Sequence, residues 1–341
     1  MKVLYINYIL QKGHINFDHI HIDALINHGQ DVKLVLHKKI AEQLPYPNGQ
    51  YALTLPSILD CDTHNPLINR LLYMLTLIYI RMKVHFGNYD KVILSSLEEI
   101  SLGIFPLCRE MHIFCHDNGK NIGKGIKGFF IKRISRHNSF IVFNQEMAIP
   151  FNNHQMRYYV ISHGCVQPFK KAVDCQLPLD IHSFHTIIYH PSCRPNPHFI
   201  DELKKDEEFQ DFLKDNNMLL ILRDQTPQKN ISNHIIYINH FLTRQEYQTL
   251  FLNSDIIILA YPDDFNCRVS GVSFECVANH KRLLVRDSIA LRYCKDFYNY
   301  NPMFTNLSQL QERIVFLNSH PEACCTATLK DLRPDYTKLL S

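Results

Sequence analysis

The residues with the most chemical promise lie in one stretch, DDFNCRVSGVSFECVANHKRLLVRD, at positions 263–287. An apolar strand pattern at 255–259 precedes it and another at 282–285 closes it, so Ser270 falls where a helix should start. Ser270 is expected to cap that helix and leave the amides of Gly271, Val272 and Ser273 unpaired. Unpaired amides at the positive end of a helix dipole bind anions such as phosphate. Gly271 has no side chain to hold a ligand away, and Arg268 adds a permanent positive charge. Glu275 follows Gly271 by one helical turn, and its side chain would lean back toward the helix start. A carboxylate beside a phosphate is repelled by it, so this one suits a pair of hydroxyls, as on a ribose next to a diphosphate. The residues alone leave a plainer reading equally open, with Ser270 only a cap and Glu275 a solvated acid, because S-G-x-x-x-E is a short pattern.

The elements that would carry such a site alternate along the chain. Residues 3–6 read as a strand, a helical pattern runs through Ile20, Ala24 and Leu25 to a stop at Gly29, and 32–36 read as the next strand. This β-α-β unit implies a parallel pair with a right-handed crossover. Further strands are predicted at 92–95, 113–115 and 140–143 and within 158–164, with helices between them. A second series has strands at 186–189, 218–222, 235–238, 255–259 and 282–285. Its helices fall at 197–215, 243–253, 270–279 and 289–297, and Thr243-x-x-Glu246 makes a capping box. The strands are continuously apolar, which fits burial on both faces. Residues 166–182 have little periodicity and read as a linker between a first domain, 1–165, and a second, 183–341. The pattern predicts two tandem doubly wound, Rossmann-like α/β domains, with the last helix free to pack back on the first. Ligands of such folds bind outside the carboxyl ends of the strands.

Composition narrows the chemistry. A length of 341 residues suits two cores better than one, and 46% apolar with 20% charged residues is the balance of a folded chain. A formal net charge of +3 gives no argument for nucleic acid. The eleven cysteines contain no C-x-x-C, and Cys324 and Cys325 are adjacent, which suits neither zinc nor a disulfide framework. The twenty histidines are scattered, and the pairs His19/His21 and His182/His185 lack a matching second cluster, so no metal is expected. The opening MKVLYINYILQKGH reads as a first strand, not a secretory signal, and the longest apolar run, 71–80, is short of the roughly 20 residues that span a bilayer. A cytoplasmic protein is expected.

The stretch IIYINHFLTRQEYQTLFLNSDIIILAYPDDFNCRVSGVSFECVANHKRLLV resembles the carboxyl-terminal nucleotide-sugar domain of GT-B glycosyltransferases, particularly retaining family 4 and related bacterial polysaccharide glycosyltransferases. The resemblance implies two Rossmann-like domains facing a cleft. It assigns the donor diphosphate to Ser270, Gly271 and Val272 and the ribose to Glu275. The family's second glutamate, eight positions before the ribose glutamate, is replaced here by Cys267, so Asp263 or Asp264 would have to supply that acid. The glycine usual before the final strand is Asn279-His280. HIFCHDNG resembles the family's strand-end histidine, which makes His116 and Asp117 the candidate catalytic residues facing sugar or acceptor; alternatively Asp117 caps a helix and His116 packs. SFIVFNQEM resembles the later strand of some bacterial members. Gly13 and His14, at the first strand–helix turn, would face the same cleft. Arg194 stands where the family often has a basic residue for the diphosphate, though a surface arginine fits as well.

The segment NGKNIGKGIKGFFIKRISRHN carries Lys120, Lys124, Lys127, Lys132, Arg133 and Arg136 without an acid, and its apolar residues recur at helical spacing. It reads either as a basic face for an anionic membrane or lipid-linked acceptor, or as an ordinary helix with its apolar side in the core. The expected activity is transfer of a sugar from a nucleotide-diphosphate donor to a saccharide or lipid-linked acceptor in bacterial surface polysaccharide synthesis. The resemblance implies retention at the anomeric carbon, no metal, and no cofactor beyond the donor itself. Two alternatives share the architecture: a sugar-nucleotide 2-epimerase, and a catalytically degenerate nucleotide-sugar binding protein.

Overall fold

All strand pairs in the two sheets are parallel. Such sheets need helices on both faces to bury their apolar strands. The computed structural model describes the chain except residues 11–13, 61–62, 64, 166, 171–180, 182, 193, 225–227 and 241. Gly13 and most of the expected linker therefore lie outside the described residues. The chain divides into two compact units: unit 1 is Met1–Gly164 with Cys267–Val269 and Leu332–Ser341, and unit 2 is Cys165–Asn266 with Ser270–Asp331.

Unit 1 runs β1 (Lys2–Ile6), α1 (Ile15–Asn27), β2 (Asp31–His37), α2 (Lys38–Ala41), β3 (Tyr51–Leu55), α3 (Pro66–Lys83) and β4 (Lys91–Leu94). It continues with α4 (Glu99–Ile104), β5 (Met111–Phe114), α5 (Gly125–Ser135), β6 (Ser139–Val142), α6 (Gln145–Asn153) and β7 (Tyr158–Val160). The sheet order is β3-β2-β1-β4-β5-β6-β7, so the direction of winding reverses between β1 and β4. β5 and β6 are buried at every position, as strands covered on both faces must be. α1 ends before Gly29, whose φ of 73° is the left-handed turn expected after a helix stop. Asn65 caps α3 through its side chain, and Pro66 fills the first helical position, where no amide is needed.

Unit 2 runs β8 (Thr186–His190), α7 (Pro197–Lys205), α8 (Glu207–Asp215), β9 (Met218–Arg223), β10 (Ile235–Ile238), α9 (Arg244–Asn253) and β11 (Ile256–Leu259). Then come α10 (Gly271–Ala278), β12 (Arg282–Arg286), a 3-10 stretch (Ile289–Phe297), β13 (Met303–Phe304) and α11 (Leu307–Ser319). The order β10-β9-β8-β11-β12-β13 reverses between β8 and β11. The expected Thr243/Glu246 capping box is formed at the start of α9.

Three expectations are corrected. The single helix at 197–215 is two, because Asp206 ends α7 and its carboxylate accepts the Phe209 amide to start α8. The stretch at 289–297 is 3-10, not α. Strands β3 and β13 were not expected from the sequence.

The last helix, α12 (Thr337–Leu340), belongs to unit 1. Tyr336 is fully buried there, and its hydroxyl meets His21 Nδ1 at 2.8 Å.

Candidate functional site

In unit 2 the loops after β8 and β11 leave the sheet at its switch point, where doubly wound folds bind ligands. The β11 loop delivers Ser270 to the start of α10, and four contacts fix it there. Its amide donates to the Tyr293 hydroxyl at 2.9 Å, and its Oγ lies 2.7 Å from the Tyr261 hydroxyl. Its carbonyl accepts the Ser273 amide at 3.1 Å and the Ser273 hydroxyl at 2.7 Å. The expected side-chain cap is therefore absent, because the Ser270 hydroxyl is turned to Tyr261. Ser273 also drops out as an open donor. Gly271 and Val272 keep amides with no partner among the described residues.

Gly271 is exposed, its φ is not positive, and a Cβ added to it would meet nothing within 4 Å. Neither backbone conformation nor packing within the protein requires glycine here. The absence of a side chain leaves open space directly at the two unpaired amides.

Glu275 is not the solvated acid of the plainer reading. It is half-buried, and its Oε2 accepts the Tyr247 hydroxyl of α9 at 2.5 Å. Burial raises its carboxyl from 4.5 to about 7, and the Tyr247 hydrogen bond only partly offsets this. Ionised, it would have oxygen lone pairs left for further donors. Arg194, in the loop after β8, is exposed and makes no ion pair among the described residues. In the same loop Asn196 caps α7 and donates to Asp263 Oδ1 at 3.0 Å, so Asp263 has a structural partner.

Arg268 and Cys267 belong to unit 1. Arg268 Nη2 lies 2.8 Å from Asp117 Oδ2, and Lys120 Nζ meets the same oxygen at 2.7 Å. Burial would raise the Asp117 carboxyl, but Lys120, Arg268 and Lys127 outweigh it and hold the group below its usual value. Asp117 does not cap the turn that follows it, and with two cations on one oxygen it is an ion-pair centre, not a poised proton acceptor. Cys267 has a φ of 54°, and its Cβ and Sγ lie against Gly119.

His116 follows β5, beside the end of β4, and its Nε2 lies 2.8 Å from the Ser95 carbonyl. That bond requires the proton on Nε2 and leaves Nδ1 as an acceptor. Burial, with His14 and His163 nearby, keeps the ring neutral by pushing its pKa well below 6.5. The His14 ring stands 4.3 Å away; burial and then His163 lower it to about 4, and its Nδ1 has no partner among the described residues. The Phe17 and Phe143 rings pack against the His116 ring. Tyr247, Tyr261 and Tyr293, which fix Glu275 and Ser270, were not expected from the sequence. They act across 9 to 28 residues, and no local pattern marks them.

No protein-family model matches the chain, and no curated protein does. Solved structures do. Sucrose-phosphate synthase from Thermosynechococcus elongatus matches with a TM-score of 0.58 at 10% identity, covering 94% of this chain and 91% of that one. A trehalose-6-phosphate structure from E. coli bound with UDP-2-fluoro glucose matches with a TM-score of 0.56 at 10% identity, covering 97% and 93%. UGT89C1 of Arabidopsis thaliana, complexed with quercetin, matches with a TM-score of 0.54 at 10% identity, covering 93% and 90%. The fold is that of the GT-B glycosyltransferases: two α/β units, with parallel sheets of seven and six strands. Among the described residues no group of histidine, cysteine and acid side chains could hold a metal ion, and no helix is long and apolar enough to cross a membrane.

Proposed function

We propose that the chain is a glycosyltransferase that moves a sugar from a nucleotide-diphosphate donor to a saccharide or lipid-linked acceptor, in bacterial surface polysaccharide synthesis. The observation that carries this reading is the start of α10, where two amides unpaired among the described residues, beside open space, stand one turn from a half-buried acid. The Gly271 and Val272 amides and the helix dipole hold the diphosphate, and exposed Arg194 supplies a positive charge. Stabilising the leaving diphosphate in this way needs no divalent ion. Ser270 fixes the helix start instead of touching the donor. Ionised Glu275 accepts the ribose hydroxyls while Tyr247 holds its other side. In unit 1, neutral His116 offers Nδ1 to a sugar or acceptor hydroxyl, and Asp117 holds Arg268. Retention at the anomeric carbon is part of this reading.

One observation favours a second reading, a nucleotide-sugar binder without transfer. Cys267 stands where the resembled family has an acid, and burial raises its thiol pKa, so it supplies no charge there.

A thermal-shift panel of nucleotides and sugar nucleotides, repeated on Glu275→Ala, tests the binding role. A bound donor raises the melting temperature by mass action, and the variant should lose that rise. An unchanged rise in the variant removes Glu275 from the site. Donor binding without transfer to any acceptor favours the binder.

A further inference from the structure

The outer face of unit 1's helical layer has a composition that core packing does not explain. α3 turns Thr76, Leu77 and Ile80 inward. Its exposed residues Leu67, Leu71, Leu75 and Met82, with half-buried Ile78 among them, fall within about 80° of arc at 3.6 residues per turn, so they form a second apolar stripe. Leu71 is 57% exposed and Met82 76%. α4 packs on both α3 and α5, and a Cβ at Gly103 would collide with the Phe130 ring, so the three helices form one layer. α5 adds Ile126 and Phe129 to its surface, 65% and 63% exposed. A soluble surface scatters such residues singly; a run of them on one helix, with more on another helix of the same layer, marks a contact.

The surroundings of this tract are basic. α3 contains no acid, and neither does the chain from 118 to 137. Arg70 and Lys127 are paired to Glu98 and Glu99, but Lys124, Lys132, Arg133 and Arg136 are exposed. Where α3, α4 and α5 end, a cavity of about 430 Å³ is lined by Arg81, Arg109, Arg133, Arg136 and His137 above an apolar floor that includes Leu107 and Ile134. No acid lines it, and Arg109, Arg133 and Arg136 make no ion pair among the described residues. Charge at helix carboxyl ends accounts for Arg81 and Arg133 but not for Arg109, which lies in the loop before β5.

We propose that the α3–α4–α5 face of unit 1 docks on an anionic lipid bilayer, with its apolar stripe in the interface and the arginine cavity taking a lipid phosphate. Exposed apolar residues ringed by lysine and arginine match an anionic headgroup layer and its acyl boundary. A second copy of the same face would bring two positive fields together, which opposes self-association there.

The test is co-sedimentation of the intact protein with phosphatidylglycerol-rich vesicles and with pure phosphatidylcholine vesicles, together with light scattering of the protein alone. Binding to the first and not the second is expected. Arg133→Ser with Arg136→Ser should lower that binding about thirtyfold, and Leu71→Glu with Phe129→Glu should abolish it. All four positions are at the surface, so thermal unfolding should match wild type and show that the variants fold. Equal binding to both vesicles, or none to the anionic one, overturns the proposal. So does a dimer that Leu71→Glu with Phe129→Glu dissociates without any vesicle binding, or inorganic phosphate bound in the cavity while vesicles are ignored. None of these outcomes depends on transferase activity, so failure here leaves the donor site in unit 2 untouched.

Discussion

Glutamine at position 275 would keep the shape of the side chain and an oxygen for the Tyr247 hydroxyl, while removing a carboxyl that burial holds at about 7 against an ordinary 4.5. In the unfolded chain this carboxyl ionises near 4.5, so between there and about 7 the unfolded state has lost a proton that the folded state keeps. Stability contributed by the protonated acid is thus present below 4.5 and is lost as pH rises toward about 7, with no further change above. At about 1.4 kcal/mol per pH unit the whole difference comes to about 3 kcal/mol. Residual solvent contact of the side chain screens part of it, leaving about 2 kcal/mol. Urea unfolding of wild type and Glu275→Gln at about pH 4 and about pH 8 reads this directly. The variant should match wild type in acid and exceed it by about 2 kcal/mol in base. The same variant should bind nucleoside diphosphates at least about tenfold more weakly, because a charged acceptor has become a neutral one. A stability difference that is the same at both pH values would refute the reasoning, since the cost would then not come from ionisation.

Three further outcomes follow from named contacts. Gly271→Leu should leave the unfolding midpoint unchanged, because its new side chain meets no protein atom at Cβ, yet lower nucleoside-diphosphate affinity by about tenfold or more in calorimetry. Tyr336→Phe should cost about 1 kcal/mol in urea unfolding, since it removes the buried hydrogen bond between the Tyr336 hydroxyl and His21 Nδ1. Burial lowers His14 and His163 to about 4, so the folded protein stays neutral at these rings while the unfolded chain gains protons below 6.5. Stability should therefore fall as pH drops from 6.5 toward about 4, and His14→Phe should flatten that fall in a pH series of unfolding free energies.

Much of the fold was legible because strands covered on both faces are written as continuous apolar runs. Residues 218–222 and 255–259 stand out for this reason, and β9 and β11 lie there. β3 was not legible: its five residues are buried only at Leu55, as befits an edge strand. β13 has two residues, too few for any period. The break at Asp206 was written as a capping acid inside an amphipathic run, and the run hid it. At the candidate site, the sequence showed which residues start α10 but not which of their groups are already used. Ser270 reads as a cap and is instead held by Tyr261 and Tyr293, partners 9 and 23 residues away. Glu275 reads as a first-turn acid, and its carboxylate is engaged by Tyr247, 28 residues earlier. Arg268 reads as a phosphate ligand, yet it is paired with Asp117, 151 residues away. Spacing along a helix is a local property; the commitment of a hydrogen-bonding group is not.

The most direct measurement is a crystal structure of the protein with a bound nucleoside diphosphate. The expected density places phosphate oxygens about 3 Å from the Gly271 and Val272 amides and a ribose hydroxyl on Glu275. A nucleotide seated elsewhere, or one bound with those amides and that carboxylate untouched, would contradict the donor site proposed here.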